Sequence, residues 1–256
     1  MPIEGVESTS GMRGAFRLFR VAGIQVYLHF SWFIIAALEV TQFSRRYQSP
    51  VWGLFEYLAL FAIVLLHEFG HAFACRQTGG QADRIVLWPL GGVAFVKPPQ
   101  RPGAYLWSIA AGPLVNAVLL PIFMLAVAAA SRMHWRSIHA DLYRFIFGLS
   151  VINLWLLLFN LLPVYPLDGG QIVRALLWFP LGASRSLKIS SVIGFIGAVA
   201  FAAWAYYVSS IWLGVLAFFI FSQAQVGWRA AQNLDLESDV APRLTAESPP
   251  PIDEKP

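Results

Sequence analysis

LFAIVLLHEFGHAFAC, residues 60–75, is an apolar run of helical length broken by two histidines and a glutamate within five positions. On a helix, positions i and i+4 share a face, so His67 and His71 can reach one cation, and Glu68 falls beside a water bound to it. That is the arrangement of a zinc hydrolase. The pattern fixes only three residues and recurs by chance in soluble chains. In a membrane helix each such side chain costs about 2.5 to 3.5 kcal/mol, so three of them need a compensating partner. A buried cation supplies one.

The surrounding chain puts this helix in a membrane. Of 256 residues, 57% are hydrophobic and 12% charged, against roughly 25% charged in soluble domains. The net charge of +4 does not point to nucleic acid, because the basic residues form no stripe and instead flank apolar runs. A single cysteine, Cys75, excludes an internal disulfide and a cysteine-based zinc finger. Any metal must then be held by His and carboxylates. Acidic residues are concentrated in the tail and the N-terminus, leaving Glu39, Glu56, Glu68, Asp83, Asp141 and Asp168 between positions 23 and 228. Glu39 and Glu56 sit near the ends of apolar runs and Asp83 and Asp141 in polar connections, so Glu68 and Asp168 carry the chemistry.

Apolar segments able to cross a hydrocarbon layer, which takes about 20 helical residues, run near 27–43, 53–75, 104–130, 145–162, 189–207 and 211–228. The expectation is an all-α polytopic membrane protein of about six transmembrane helices. A cytoplasmic N-terminal segment covers 1–22, the membrane domain 23–228 and a disordered cytoplasmic tail 229–256. No removable signal is read in the first twelve residues. Thirteen Lys and Arg fall on one side of these spans and five on the other. By the positive-inside bias both termini face the cytoplasm, as expected for a multi-pass protein of the cell membrane. Residues 82–97 (ADRIVLWPLGGVAFVK) alternate β-branched and aromatic residues around Pro89 and Gly91-Gly92, which predicts a small β-hairpin at the membrane boundary.

A catalytic zinc site takes three protein ligands and a water. The candidate third ligand is Asp168, in NLLPVYPLDGG (160–170), where two prolines end a helix and two glycines are expected to turn the chain. A broken helix of this kind is tolerated in a membrane where it is buried or lines a wet cavity. Topology agrees. His67 lies roughly 13 Å from the cytoplasmic end of its span at 1.5 Å per residue, and Asp168 follows a span running in the same direction.

HEFGH on a membrane helix, GPLVN (112–116) and NLLPVYPLDGG together resemble the site-2 protease family of intramembrane zinc metalloproteases, from about Val21 to Arg174. The resemblance implies that His67, His71 and Asp168 bind Zn2+ and that Glu68 is the general base. It also implies that the substrate is a transmembrane segment of another protein in the lipid bilayer, with Asn160 a polar aid to substrate or oxyanion. The spacing leaves no room for an inserted PDZ domain, and the tail is too short for paired CBS domains. Gly91, Gly92 and Val93 are candidates to hold an unwound substrate by β-augmentation. Asn116 and Asn153 read as helix-packing polar residues, and His29, His134 and His139 as solvated or interfacial. The rival function is a divalent-metal transporter, which also places His and Glu on adjacent helical turns.

Overall fold

A computed structural model of the chain describes residues 14–33, 36, 40, 45–88 and 91–246, with backbone alone at 91–93 and 237–246. It divides into two compact units, residues 1–162 and 163–256.

The first unit is built on a four-stranded sheet of order β1 (Ala15–Val21), β2 (Ile24–His29), β3 (Gln81–Trp88) and β4 (Gly91–Lys97). β1 and β2 are joined by Ala22-Gly23, both at positive φ, as a two-residue type I′ hairpin requires. β3 and β4 form the hairpin expected at 82–97, with Val86 opposite Val93. β2 and β3 are parallel, Gln25 pairing with Arg84 and Leu28 with Leu87. A parallel pair needs a crossover, and here it includes α1 (Val51–Gln77), the helix that carries HEFGH. Ile24, Val26, Ile85 and Leu87 from the sheet bury against Val64, Phe69 and Ala72 of α1. Arg76 fastens the helix end, donating to the carbonyls of Ala82 and Ala22, each at 2.5 Å.

α2 (Pro102–Arg132), the single turn Trp135–Ile138 and α3 (Ala140–Asn160) complete this unit. Gly70 admits α2: a Cβ there would lie 2.7 Å from the Ala111 carbonyl oxygen. At the opposite end of α1, Glu56 is fully buried and accepts from the Tyr47 hydroxyl at 2.9 Å, with Arg46 at 3.7 Å. Gly148 leaves the room, since a Cβ there would meet Glu56 Oε1 at 2.4 Å. Burial and the Glu56 contact push the Tyr47 phenol above its ordinary range.

The second unit contains α4 (Asp168–Leu181), α5 (Ala183–Tyr207) and α6 (Ile211–Ala246). Ser191, Gly194 and Ala198 of α5 and Ile220, Ala224 and Ala231 of α6 are buried. Lys188 and Ser184 of α5 both bind the Asp235 carboxylate of α6.

Several expectations change. Among the described residues five helices are long and apolar enough to cross a membrane: α1, α2, α3, α5 and residues 211–236 of α6. The expected first span begins as strand, because Tyr27, Leu28 and His29 close β2. Of the rest of it, Phe30 is described as a turn and 31–33, 36 and 40 as helix. The predicted hairpin is half of a four-stranded sheet, and the boundary drawn at 22/23 falls in the β1–β2 turn. The predicted tail is helical to Ala246, anchored on α5 through Asp235; residues 247–256 lie outside the described ones. Leu125, Ile196, Val199 and Phe218 are each at least 66% exposed, which in water would be a liability and against acyl chains is ordinary.

Candidate active site

His67, Glu68 and His71 are all buried, on the C-terminal half of α1. Their supports come from α2, where Ser108, Gly112 and Asn116 recur every four residues and so share one face. His71 Nδ1 donates to the Ser108 carbonyl at 2.9 Å. A carbonyl can only accept, so His71 carries its proton on Nδ1 and presents a lone pair at Nε2. His67 Nδ1 lies 2.5 Å from Asn116 Oδ1 and takes the same tautomer. The two Nε2 atoms face each other 3.0 Å apart.

Two converging lone pairs repel unless a cation lies between them. Zinc sits about 2.0 to 2.1 Å from imidazole nitrogen, and the chain has left the space: a Cβ on Gly112 would fall 2.3 Å from His71 Nε2 and 2.7 Å from His67 Nε2. Two neutral imidazoles fit a borderline-soft divalent metal, and a catalytic centre takes a third protein ligand.

Glu68 points toward the sheet, its Oε2 accepting from the Ala94 backbone N–H at 2.8 Å. β4 is an edge strand, and an N–H given to Glu68 faces away from β3. Antiparallel alternation then turns the Gly92 N–H outward as well and the Val93 N–H into the β3–β4 ladder. Of the three residues expected to hold an extended ligand, Gly92 therefore has the donor on the free edge and Val93 does not.

Asp168 belongs to the second unit, where it opens α4. The turn leading to it, Pro163–Leu167, contains a cis Tyr165-Pro166 peptide and is closed by Leu167 N–H donating to the Val164 carbonyl at 2.8 Å. Gly169 and Gly170 lie inside α4 rather than turning the chain as expected. Gly170 serves for clearance, a Cβ there meeting Tyr165 N at 2.2 Å. Gly194 does the same for the Tyr165 carbonyl oxygen at 2.7 Å. Burial pushes the Tyr165 phenol above its ordinary range against the opposing charge of Arg174. Asn160 is the last residue of α3 and is half-buried.

The sequence matches peptidase family M50 over residues 55–134 and 129–204. The chain belongs to peptidase family M50. A zinc metalloprotease of Methanocaldococcus jannaschii is 34% identical over 183 residues, covering 72% of this chain and 51% of the relative. The solved site-2 protease from the same organism superimposes with a TM-score of 0.60 at 28% identity, covering 84% of this chain and 95% of that one. The chain spans about half the length of the curated relatives it matches. Membership in family M50 and the five apolar helices make this an integral membrane protein.

Asn116 and Asn153, read from the sequence as helix-packing polar residues, stand beside His67 through the Asn116 side chain. Both are fully buried and hydrogen-bonded to each other; Asn116 closes the GPLVN motif, and Asn153 stands outside it. Cys75 turns from the site, its Sγ lying 3.4 Å from the Gln81 carbonyl. His29, expected at an interface, is buried and stacked on Trp88 with ring centroids 4.1 Å apart.

Proposed function

We propose that this chain is a zinc endopeptidase that hydrolyses a peptide bond in or beside a transmembrane segment of another membrane protein. The observation that carries the reading is the convergence of two imidazole lone pairs on the space left by Gly112, with a buried carboxylate at the intervening position 68. His67, His71 and Asp168 would hold zinc, the aspartate entering from the first position of α4. Bound zinc would lower the pKa of water and polarise the scissile carbonyl. Glu68 takes the proton of the attacking water and returns it to the leaving amide nitrogen. Asn160 is the candidate donor to substrate or oxyanion.

The third ligand is tested by Asp168→Ala, which should leave the purified protein with little zinc and no cleavage of a transmembrane peptide. Full zinc retention would remove Asp168 from the ligand set. Glu56, the buried acid at the far end of α1, is the group a transporter would need as a second site. It is already taken by Tyr47 and Arg46, which favours the peptidase.

We place both termini in the cytoplasm, which requires segment 27–43 to cross as well. Tags at either end should then be accessible only from the cytoplasmic side; an external C-terminus would mean that 27–43 does not span.

The β4 edge is proposed to hold the substrate unwound by strand addition, through the outward N–H of Gly92. Gly92→Pro removes that donor on an edge where proline is tolerated. One backbone hydrogen bond is worth about 1 kcal/mol, so KM for a transmembrane peptide should rise roughly five-fold with zinc content unchanged. An unaltered KM would dismiss augmentation at this residue.

A further inference from the structure

We propose that Asn153 is a positioning residue for the metal site, fixing the amide of Asn116 and through it the tautomer of His67. The inference rests on His67 being a zinc ligand, as proposed above. The two histidines are supported differently. His71 Nδ1 meets a backbone carbonyl, that of Ser108, which leaves its tautomer no choice. His67 Nδ1 meets a side-chain amide, that of Asn116, which could present either its oxygen or its NH2. With the NH2 turned to Nδ1, the proton would move to Nε2 and point an N–H at the place where the metal belongs.

Asn153 removes that freedom. Its Nδ2 donates to the Asn116 backbone carbonyl at 2.9 Å, an atom that can only accept. Its Oδ1 therefore faces Asn116 and accepts from Nδ2 at 2.8 Å. That leaves Asn116 Oδ1 turned to His67 Nδ1, which must donate. The direction of the whole chain of hydrogen bonds is thus set by one main-chain oxygen of α2, read by a residue of α3 that touches no ligand of the metal. Both amides are fully buried, so water does not compete for these contacts. Outer partners of metal-binding histidines act this way, and their loss typically costs 10- to 100-fold in metal affinity.

The test uses the full chain in detergent, labelled with 15N-histidine and measured zinc-free and zinc-loaded. Nitrogen shifts distinguish the Nδ1–H from the Nε2–H tautomer, and competition with a chelator gives zinc affinity. Wild type should show His67 as Nδ1–H even without zinc. Asn153→Leu, close in size but without donor or acceptor, should populate Nε2–H at His67 and weaken zinc by 10- to 100-fold. Adding Asn116→Asp to it should restore Nδ1–H and recover affinity, since a carboxylate can only accept. A zinc-free wild type with His67 as Nε2–H overturns the proposal, whatever becomes of the variants. So does Asn153→Leu that loses zinc with its tautomer unmoved, or keeps both. A wild type with the Nδ1–H tautomer that binds no zinc would instead sink the metal reading and leave the relay standing.

Discussion

Gly112→Ala is expected to strip the protein of zinc and of peptide cleavage together while the fold survives. Alanine favours a helix by about 1 kcal/mol over glycine, so α2 itself should be untroubled. The added methyl group, however, would stand 2.3 Å from His71 Nε2 and 2.7 Å from His67 Nε2, in the space assigned to the metal. Neither imidazole can retreat without abandoning its Nδ1 partner, Ser108 or Asn116. Zinc per protein should fall close to zero with an unchanged helical circular dichroism spectrum. A variant that retains a full complement of zinc would show that the metal lies elsewhere.

Glu68→Gln should separate binding from catalysis. Glutamine keeps the size of the side chain, and its amide oxygen can still accept from the Ala94 N–H that holds Glu68 Oε2 at 2.8 Å, so zinc should stay bound. What is lost is a group able to take a proton, and such groups contribute about 10²- to 10⁴-fold. Cleavage should drop by that factor with full zinc content, against the metal-poor inactivity expected of Asp168→Ala. An undiminished, chelator-sensitive rate in Glu68→Gln would assign the base to another residue.

The helix carrying His67, Glu68 and His71 was legible because its signal is local: spacing on one helix and the cost of polar groups in an apolar run. The β3–β4 hairpin was legible for the same reason, through Pro89 and Gly91-Gly92. β2 was not, since Ile24, Val26 and Leu28 lead straight into an apolar run, and short apolar stretches read equally as strand or helix. Its parallel partner lies beyond α1, and no local pattern announces it. Asn116 and Asn153 were visible as polar residues in apolar helices, but their pairing joins positions 37 residues apart. Glu56 looked like a span-end residue because the glycine that makes room for it, Gly148, stands on another helix. The tail was misread on composition, for its first turns are held by a contact between Asp235 and α5. Gly169-Gly170 were read for conformational freedom, whereas Gly170 serves for the absence of a side chain against Tyr165.

The most direct measurement is cleavage of a synthetic transmembrane peptide by the purified full chain in detergent, with chelator and then with zinc restored. Products should end in or beside the apolar segment, with cleavage lost on adding chelator and restored with zinc. Undiminished cleavage in excess chelator would contradict a zinc endopeptidase, as would a wild type that cleaves nothing yet carries zinc across sealed vesicles.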